Sequence, residues 1–179
     1  MNFYVAIEII GSLVYLTQKI LLSFSKRVGW VLGIMGSAAF ATVTFHKGSY
    51  AYGILEVTSG IIFFFGLILW GKSGAKEKWM TFAMSTVAIL GIILVSVLNL
   101  GSPNWILETL VVILFAIGAI FLVLKKPIGW FLYGLGHLVL TIYAYQLGTY
   151  YIMILQVVSL PFAFIGYRRF GLVNLVRYY

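Results

Sequence analysis

Apolar residues fill seven long runs along the chain, and short breaks rich in charge, glycine or proline separate these runs. A helix needs about 20 mostly apolar residues to cross the hydrocarbon of a bilayer. The pattern therefore predicts seven transmembrane helices, at residues 3–24, 28–45, 49–70, 79–100, 105–124, 127–146 and 149–167. The breaks fall at residues 26–27, 47–48, 71–78, 101–104, 125–126 and 147–148.

The composition indicates that lipid, not water, is the solvent of this chain. Of its 179 residues, 63% are hydrophobic and only 9% are charged, far from the balance of soluble domains. We expect one all-α polytopic membrane domain over residues 1–179, and its first run lacks the flanks of a cleaved signal peptide. Because there are no cysteines, thiolate metal sites are excluded, and we expect neither a metal nor another cofactor.

The net charge of +8 follows the predicted topology. With seven spans, one side receives most of the basic residues, namely Lys26, Arg27, Lys72, Lys76, Lys78, Lys125, Lys126, Arg168, Arg169 and Arg177. Lys47 falls on the other side, and Lys19, inside the first span, is expected to extend toward the basic side. Since basic loops favour the cytoplasm, we expect the N-terminus outside and the C-terminus inside. Charges scattered between apolar runs do not predict a nucleic acid partner.

An internal repeat appears when the chain is laid on itself at an offset of 100 residues without a gap. Glu8 then falls on Glu108 and Lys26 on Lys126. The same register pairs Gly29 and Trp30 with Gly129 and Trp130, Gly48 with Gly148, Tyr50 with Tyr150, Ser59 with Ser159, and Gly66 with Gly166. Apolar residues align easily by chance, but charged and Gly-Trp positions matched at one register do not. We infer repeats at about residues 3–70 and 103–170.

Each repeat contains three spans, so the remaining span decides how the two repeats are oriented. Two odd-numbered units joined directly would be inverted relative to each other. The span at 79–100 reverses this, which predicts two parallel three-helix repeats joined by a linker helix, a 3+1+3 plan. Parallel repeats of this kind place a substrate path between the two bundles near the bilayer midplane.

Short motifs occur in a consistent order in both halves. In the second half they are Trp130, Tyr133, Leu147, Gly148, Tyr150, Leu155, Gln156, Gly166, Tyr167 and Arg168. In the first half they are Glu8, Lys26, Gly29, Trp30, Gly48, Tyr50, Ala51, Leu55, Glu56 and residues 66–70. These motifs resemble those of the PnuC family of bacterial vitamin-precursor transporters, over roughly residues 5 to 170.

The resemblance implies a facilitator in the bacterial cytoplasmic membrane that carries nicotinamide riboside or a similar vitamin, which a cytoplasmic kinase then traps by phosphorylation. The chain departs from the nicotinamide riboside members where Gly129, Tyr133 and His137 stand in place of Asn, Trp and Asp, and where Glu56 replaces a common Gln. Other branches of the family carry thiamine, riboflavin or deoxynucleosides. These cargoes remain alternatives, as do a sugar carrier of the same plan and a non-transport membrane partner protein.

The sequence does not predict an enzyme. It has no GxxxxGK[ST] phosphate loop and no Asp, so neither nucleotide hydrolysis nor a Ser-His-Asp set is expected. The expected partners are the lipid bilayer and a small-molecule substrate, a planar heterocycle that carries ribose. A homo-oligomer stays open.

Trp130, Tyr133 and His137 form one candidate binding stripe, because residues three, four and seven apart share a helix face. Aromatic rings stack on planar heterocycles, and the polar tips give direction. Trp30 is included as the repeat equivalent of Trp130. The alternative for Trp130 is packing or a place in the interfacial aromatic belt. The alternative for His137 is a hydrogen bond to a neighbouring helix.

Glu56 and Gln156 are the strongest candidates for substrate contact. They are repeat equivalents, and each is followed three residues later by a serine on the same face, Ser59 or Ser159. A carboxylate inside a span usually faces the bundle interior or a wet cavity, and carboxylate and amide groups suit ribose hydroxyls or ring amides. The alternative is that they only tie helices together.

Glu8 and Glu108 lie near the outer ends of the first and fifth spans. As repeat equivalents they are expected to share a structural role, in which each carboxylate accepts a hydrogen bond from a tyrosine on a neighbouring helix. The alternative is that both simply reach the headgroup region.

Overall fold

The computed structural model describes residues 3–70, 75–146 and 150–176. Within these ranges the regular secondary structure is entirely α-helical, and no strand occurs. The seven helices are α1 Phe3–Ser23, α2 Val28–His46, α3 Tyr50–Leu69, α4 Ala75–Leu98, α5 Trp105–Val123, α6 Pro127–Gln146 and α7 Tyr150–Val176. Each contains a stretch long and apolar enough to cross a membrane, so the predicted all-α fold with seven transmembrane helices is confirmed.

Two helices are longer than the apolar runs that predicted them. The break expected at 71–78 is wrong in its second part, because α4 begins at Ala75 and not at residue 79. At the other end of the chain, α7 continues past Tyr167 to Val176. Hydropathy measures what lipid tolerates, whereas charged residues continue a helix readily once it reaches the interface. The predictions for residues 71–72, 147–149 and 177 lie outside the described residues.

Six of the helices form a closed ring. Each helix packs on the next in the order α1, α2, α3, α5, α6, α7, and α7 packs on α1 to complete the circle. Among the described residues, α4 contacts only α3 and α5 and therefore lies outside the ring. Two helix pairs join the halves, α1 with α7 and α5 with α3. Under the offset of 100 residues α1 corresponds to α5 and α3 to α7, so each of these pairs is the equivalent of the other. The 3+1+3 plan itself stays a prediction.

The ends of the first helix in each half repeat one turn geometry. Ser25 and Lys125, which are repeat equivalents, adopt left-handed φ angles of 58° and 56°. The N–H groups of Lys26 and Lys126 donate back to the carbonyls of Leu21 and Phe121, both at 2.8 Å. This is the Schellman arrangement that terminates a helix, and it sets the direction of the second helix in both halves.

Basic side chains gather at one end of the ring. Arg169 lies over the ring of Phe24 with 4.5 Å to the centroid, and Lys125 lies over Trp70 at 4.7 Å. Arg27 donates to the carbonyl of Leu67 at 3.0 Å. These contacts join the ends of α1, α3 and α7 to the starts of α2 and α6, and we call this the basic end. The opposite end, the N-terminal end, carries Glu8 and Lys47.

An aromatic cluster fills the core near the basic end. Trp30 and Trp130 are 0% and 2% exposed. Trp70 lies 5.5 Å from Trp30, centroid to centroid, and Phe170 lies 5.9 Å from Trp130. The four side chains belong to α2, α6, α7 and the residue that follows α3, so the cluster closes the ring at its basic end.

Candidate functional site

A cavity of about 530 Å³ lies inside the ring. All six ring helices contribute to its wall, which runs from Lys47 and Ser49 at the N-terminal end to Phe63 and Tyr133 near the aromatic cluster. Its size suits a small molecule. Most of the lining is apolar, and the polar groups fall into a few clusters.

The first polar cluster joins three helices of the first half. The Tyr15 hydroxyl of α1 donates to the Glu56 carboxylate of α3. Ser37 of α2 lies 2.7 Å from the Tyr15 oxygen, and its hydroxyl can donate to that oxygen while Tyr15 donates to Glu56. Both Tyr15 and Glu56 line the cavity. One carboxylate oxygen is thereby held in place, and the carboxylate retains lone pairs for a ligand.

The second polar cluster occupies the equivalent place in the second half. His137 Nδ1 of α6 lies 2.6 Å from Gln156 Oε1 of α7. Since an amide oxygen only accepts, this contact puts the imidazole proton on Nδ1. His137 is 2% exposed and Gln156 6% exposed, and both line the cavity. The imidazole Nε2 is then available to accept a hydrogen bond from a ligand. The amide N–H groups of Gln156 are available to donate to it.

A third polar contact crosses between the halves. The Lys19 ammonium of α1 donates to Ser159 Oγ of α7 at 2.9 Å, and Ser159 in turn donates to the carbonyl of Leu155 at 2.6 Å. Lys19 is 8% exposed and lines the cavity, whereas Ser159 lies behind it. The contact fixes an ammonium group in the wall of the cavity.

Three rings of the second half pack together in the wall of the cavity. Phe115 lies 5.2 Å from Tyr133 and 5.1 Å from His137, and Tyr133 lies 6.0 Å from His137, between centroids and edge to face. All three line the cavity. Edge-to-face packing fixes the orientation of each ring, so Phe115 and Tyr133 place apolar ring surface next to the His137 imidazole.

The structure brings together five of the eight residues predicted to bind substrate. Glu56, Ser59, Tyr133, His137 and Gln156 line the cavity. Ser159 reaches it only through Lys19. Trp30 and Trp130 pack in the aromatic cluster at the basic end and do not belong to the lining. Their direct contact with substrate stays a prediction without support from this geometry.

Sequence reasoning missed three cavity residues of α1, namely Tyr15, Gln18 and Lys19. The expectation that Lys19 extends toward the basic end is wrong, because its ammonium points inward to Ser159. A signal was present in the sequence, since a lysine well inside a span is a candidate for function. Gln18, the neighbouring polar residue in the same apolar run, carries the same signal.

The two outer glutamates differ in their partners. Tyr143 donates to Glu108 Oε1 at 2.5 Å, so the expected tyrosine bond is confirmed for Glu108. For Glu8 it is wrong, because Glu8 instead pairs with Lys47 at 2.7 Å. Lys47 stands at the end of α2, close enough to reach the carboxylate, and its repeat equivalent Leu147 carries no charge.

Among the described residues, no group of three or more His or Glu side chains is arranged to hold a metal ion. The polar lining consists of hydrogen-bonding clusters that both halves contribute to one cavity.

A family model described as nicotinamide mononucleotide transporter matches residues 5–170, nearly the whole chain. No curated protein and no solved structure matches the chain.

Proposed function

The chain belongs to the nicotinamide mononucleotide transporter family, a family of membrane transporters, and we propose that it carries a nicotinamide riboside-like vitamin or vitamin precursor by facilitated movement. The proposed membrane is the bacterial cytoplasmic membrane, with the N-terminus outside and the basic end in the cytoplasm. A cytoplasmic kinase then traps the cargo by phosphorylation.

The observation that carries this proposal is the cavity of about 530 Å³ that both halves enclose within seven membrane-spanning helices. Burying polar groups in an interior without water costs free energy unless a partner satisfies them. Here carboxylate, amide, imidazole and ammonium groups all face one cavity. A polar small molecule inside it would satisfy them, which supports transport over a purely structural role.

In the proposed site, aromatic and polar parts of the cavity wall bind different parts of the cargo. The heterocycle lies against Phe115 and Tyr133, where stacking is worth about 1–3 kcal/mol by analogy with bases on aromatic platforms. The ribose hydroxyls, which donate and accept, bind between Glu56 and Gln156. His137 and Ser59 complete the contacts with the polar edge of the cargo.

Release of the cargo at the basic end requires a rearrangement. The aromatic cluster of Trp30, Trp70, Trp130 and Phe170 closes that end. We propose that movement of one three-helix half against the other opens this cluster and closes the N-terminal end, the alternating access expected of parallel repeats. Without a fuel, the cargo then moves down its own gradient.

Uptake into liposomes tests the proposal. The purified chain is reconstituted, and entry of labelled nicotinamide riboside is followed with and without a ribosylnicotinamide kinase and ATP inside. We expect the internal concentration to stop at the external value without kinase and to exceed it with kinase. Protein-free liposomes with the same contents are the control.

Uptake of labelled thiamine, riboflavin, thymidine and glucose, each measured in the same way, identifies the cargo. Uptake of one of them without uptake of nicotinamide riboside would reassign the cargo while keeping transport. No uptake of any of these compounds would contradict the transport proposal.

A further inference from the structure

The cavity wall contains two hydrogen-bond donors of α1 that the cargo contacts proposed above do not use. Gln18 is 1% exposed and lines the cavity, and its amide nitrogen Nε2 has no hydrogen-bond partner among the described residues. Next to it in sequence, the Lys19 ammonium has Ser159 as its hydrogen-bond partner. An ammonium group has three N–H donors, so Lys19 retains donor capacity beyond its bond to Ser159.

The unpartnered amide is costly unless a ligand satisfies it. A buried donor that lacks an acceptor costs about 1–3 kcal/mol. Lys19 adds a charge to the same cavity, where the Glu56 carboxylate interacts with it electrostatically. The unpartnered Gln18 amide, next to an ammonium on a ligand-sized cavity, therefore indicates that an acceptor completes the site when the cargo is bound.

The internal repeat shows that this donor wall belongs to one half only. The repeat equivalents of Gln18 and Lys19 are Gly118 and Ala119. In the first half the ring of Phe63 and the Gln18 amide share the space above Gly33, where a Cβ would lie 2.7 Å from the ring and 3.1 Å from Nε2. In the second half the large and small residues exchange places, because Gly118 replaces Gln18 and Tyr133 replaces Gly33. The ring of Tyr133 fills the space above Gly118, 2.7 Å from where its Cβ would be.

Equivalent places in the two halves thus carry different chemistry. At these positions the first half presents an amide and an ammonium, and the second presents a phenol ring packed with Phe115 and His137. A cargo that lies between these positions meets the two donors on one side and the phenol ring on the other. Such a site fixes the orientation in which the cargo binds.

The donors also define which oxygen they recognise. Neither an amide NH₂ nor an ammonium accepts a hydrogen bond. At Nε2 and the ammonium themselves a hydroxyl finds no acceptor for its own proton, whereas a carbonyl or carboxylate oxygen has only lone pairs to offer. These two donors suit an acceptor-only oxygen.

We propose that Gln18 and Lys19 are specificity-determining residues that bind a carbonyl or carboxylate oxygen attached to the planar ring of the cargo. This inference rests on the proposed transport function and adds the substrate class. Nicotinamide riboside has a carboxamide oxygen on its ring, and nicotinic acid riboside has a carboxylate. Thiamine has neither group.

The test measures binding of these three probes to the full-length protein in detergent by calorimetry. The variants are Gln18→Glu, which keeps the volume and removes the amide donors, and Lys19→Met, which removes the charge. Gln146→Glu makes the same exchange at an exposed position of α6 outside the cavity. Elution as a monodisperse peak at the wild-type volume establishes that each variant is folded.

We expect each ring-oxygen probe that binds the wild type to lose about tenfold or more in affinity in Gln18→Glu, as loss of one hydrogen bond to a charged or buried group predicts. Lys19→Met should weaken binding of nicotinic acid riboside, whose ring oxygen is a charged carboxylate, more than binding of nicotinamide riboside, whose ring oxygen is a neutral carbonyl. Gln146→Glu should bind as the wild type does.

Two results would overturn the inference while leaving transport intact. One is wild-type affinity, within twofold, of folded Gln18→Glu for the ring-oxygen probes. The other is thiamine binding without binding of either riboside. Failure of all three probes to bind the wild type would instead contradict the proposed vitamin cargo, and the inference would fall with it.

Discussion

The indole of Trp130 lies directly on the backbone of Gly166. A Cβ at Gly166 would come within 2.3 Å of ring atoms of Trp130, and the equivalent pair, Trp30 and Gly66, shows 2.6 Å. Each tryptophan therefore packs where the opposing helix has no side chain. The aromatic cluster at the basic end depends on these two close approaches.

Gly166→Ala should destabilise the protein by about 1–3 kcal/mol, because the added methyl overlaps a rigid indole. We expect a lower melting temperature in detergent by intrinsic fluorescence. Gly66→Ala should have a similar effect. Gly171→Ala, in the same helix α7 with open space at its Cβ position, is the control and should be neutral or slightly stabilising. Equal effects of Gly166→Ala and Gly171→Ala would contradict the packing argument.

The helices could be predicted closely, since lipid imposes one requirement that the sequence displays locally. α6 has the predicted limits, 127–146. The extensions of α4 and α7 could not be predicted from hydropathy, because there the helix leaves the hydrocarbon and polar residues continue it. The ring order also depends on contacts between distant residues, which no local pattern reports.

The site could be predicted only in part, for a related reason. The spacing of Tyr133 and His137 correctly predicted a shared face in contact with one cavity. The direction of Lys19 depends on how α1 is rotated against α7, and that rotation is set by packing across 140 residues of chain. Trp130 was assigned to the site from its spacing to Tyr133 and His137, and its packing on Gly166 is a contact that this local spacing does not report.

Glu56→Ala and Gln156→Ala should each lower affinity for the cargo by about tenfold or more while leaving expression and elution volume unchanged. Each change removes polar groups of the cavity wall, and calorimetric titration with nicotinamide riboside measures the loss. Glu77→Ala, on α4 outside the ring, is the matched control. Unaltered affinity in both cavity variants would remove these residues from the proposed site.

Tyr143→Phe should destabilise the protein by about 1–3 kcal/mol, because Glu108 would lose the hydroxyl that donates to its Oε1. Glu108 is buried, and its other oxygen has no partner among the described residues. In the double variant Tyr143→Phe with Glu108→Leu, most of the loss should disappear, since neither polar group remains unpaired. Simple additivity of the two single changes would argue against this bond.

Ser25→Gly should raise stability slightly, by up to about 1 kcal/mol, because Ser25 holds a left-handed φ of 58° that costs a residue with a Cβ. Melting temperature measures the gain. Lys125→Gly relieves the same strain at the equivalent turn but also removes the cation over Trp70, so its net gain should be smaller. A larger gain for Lys125→Gly would show that the cation contributes nothing there.

The absence of natural cysteines makes the proposed orientation directly measurable. Ser25 lies in the turn between α1 and α2 at the basic end, and Ser49 lies between α2 and α3 at the N-terminal end. Single Ser25→Cys and Ser49→Cys variants are matched in size and give the protein one thiol each. In intact cells a membrane-impermeant maleimide should label Ser49→Cys, and it should label Ser25→Cys only after the membrane is opened.

This labelling pattern separates topology from accessibility. Ser102 lies between α4 and α5, after four spans, whereas Ser49 lies after two. An even number of spans returns the chain to the side of the N-terminus, so Ser102→Cys should be labelled like Ser49→Cys. The reverse pattern at all three sites would invert the orientation and place the basic end outside, against the distribution of Lys and Arg. Labelling of Ser49→Cys without Ser102→Cys in intact cells, although both react after the membrane is opened, would instead mean that α3 and α4 do not both cross the bilayer.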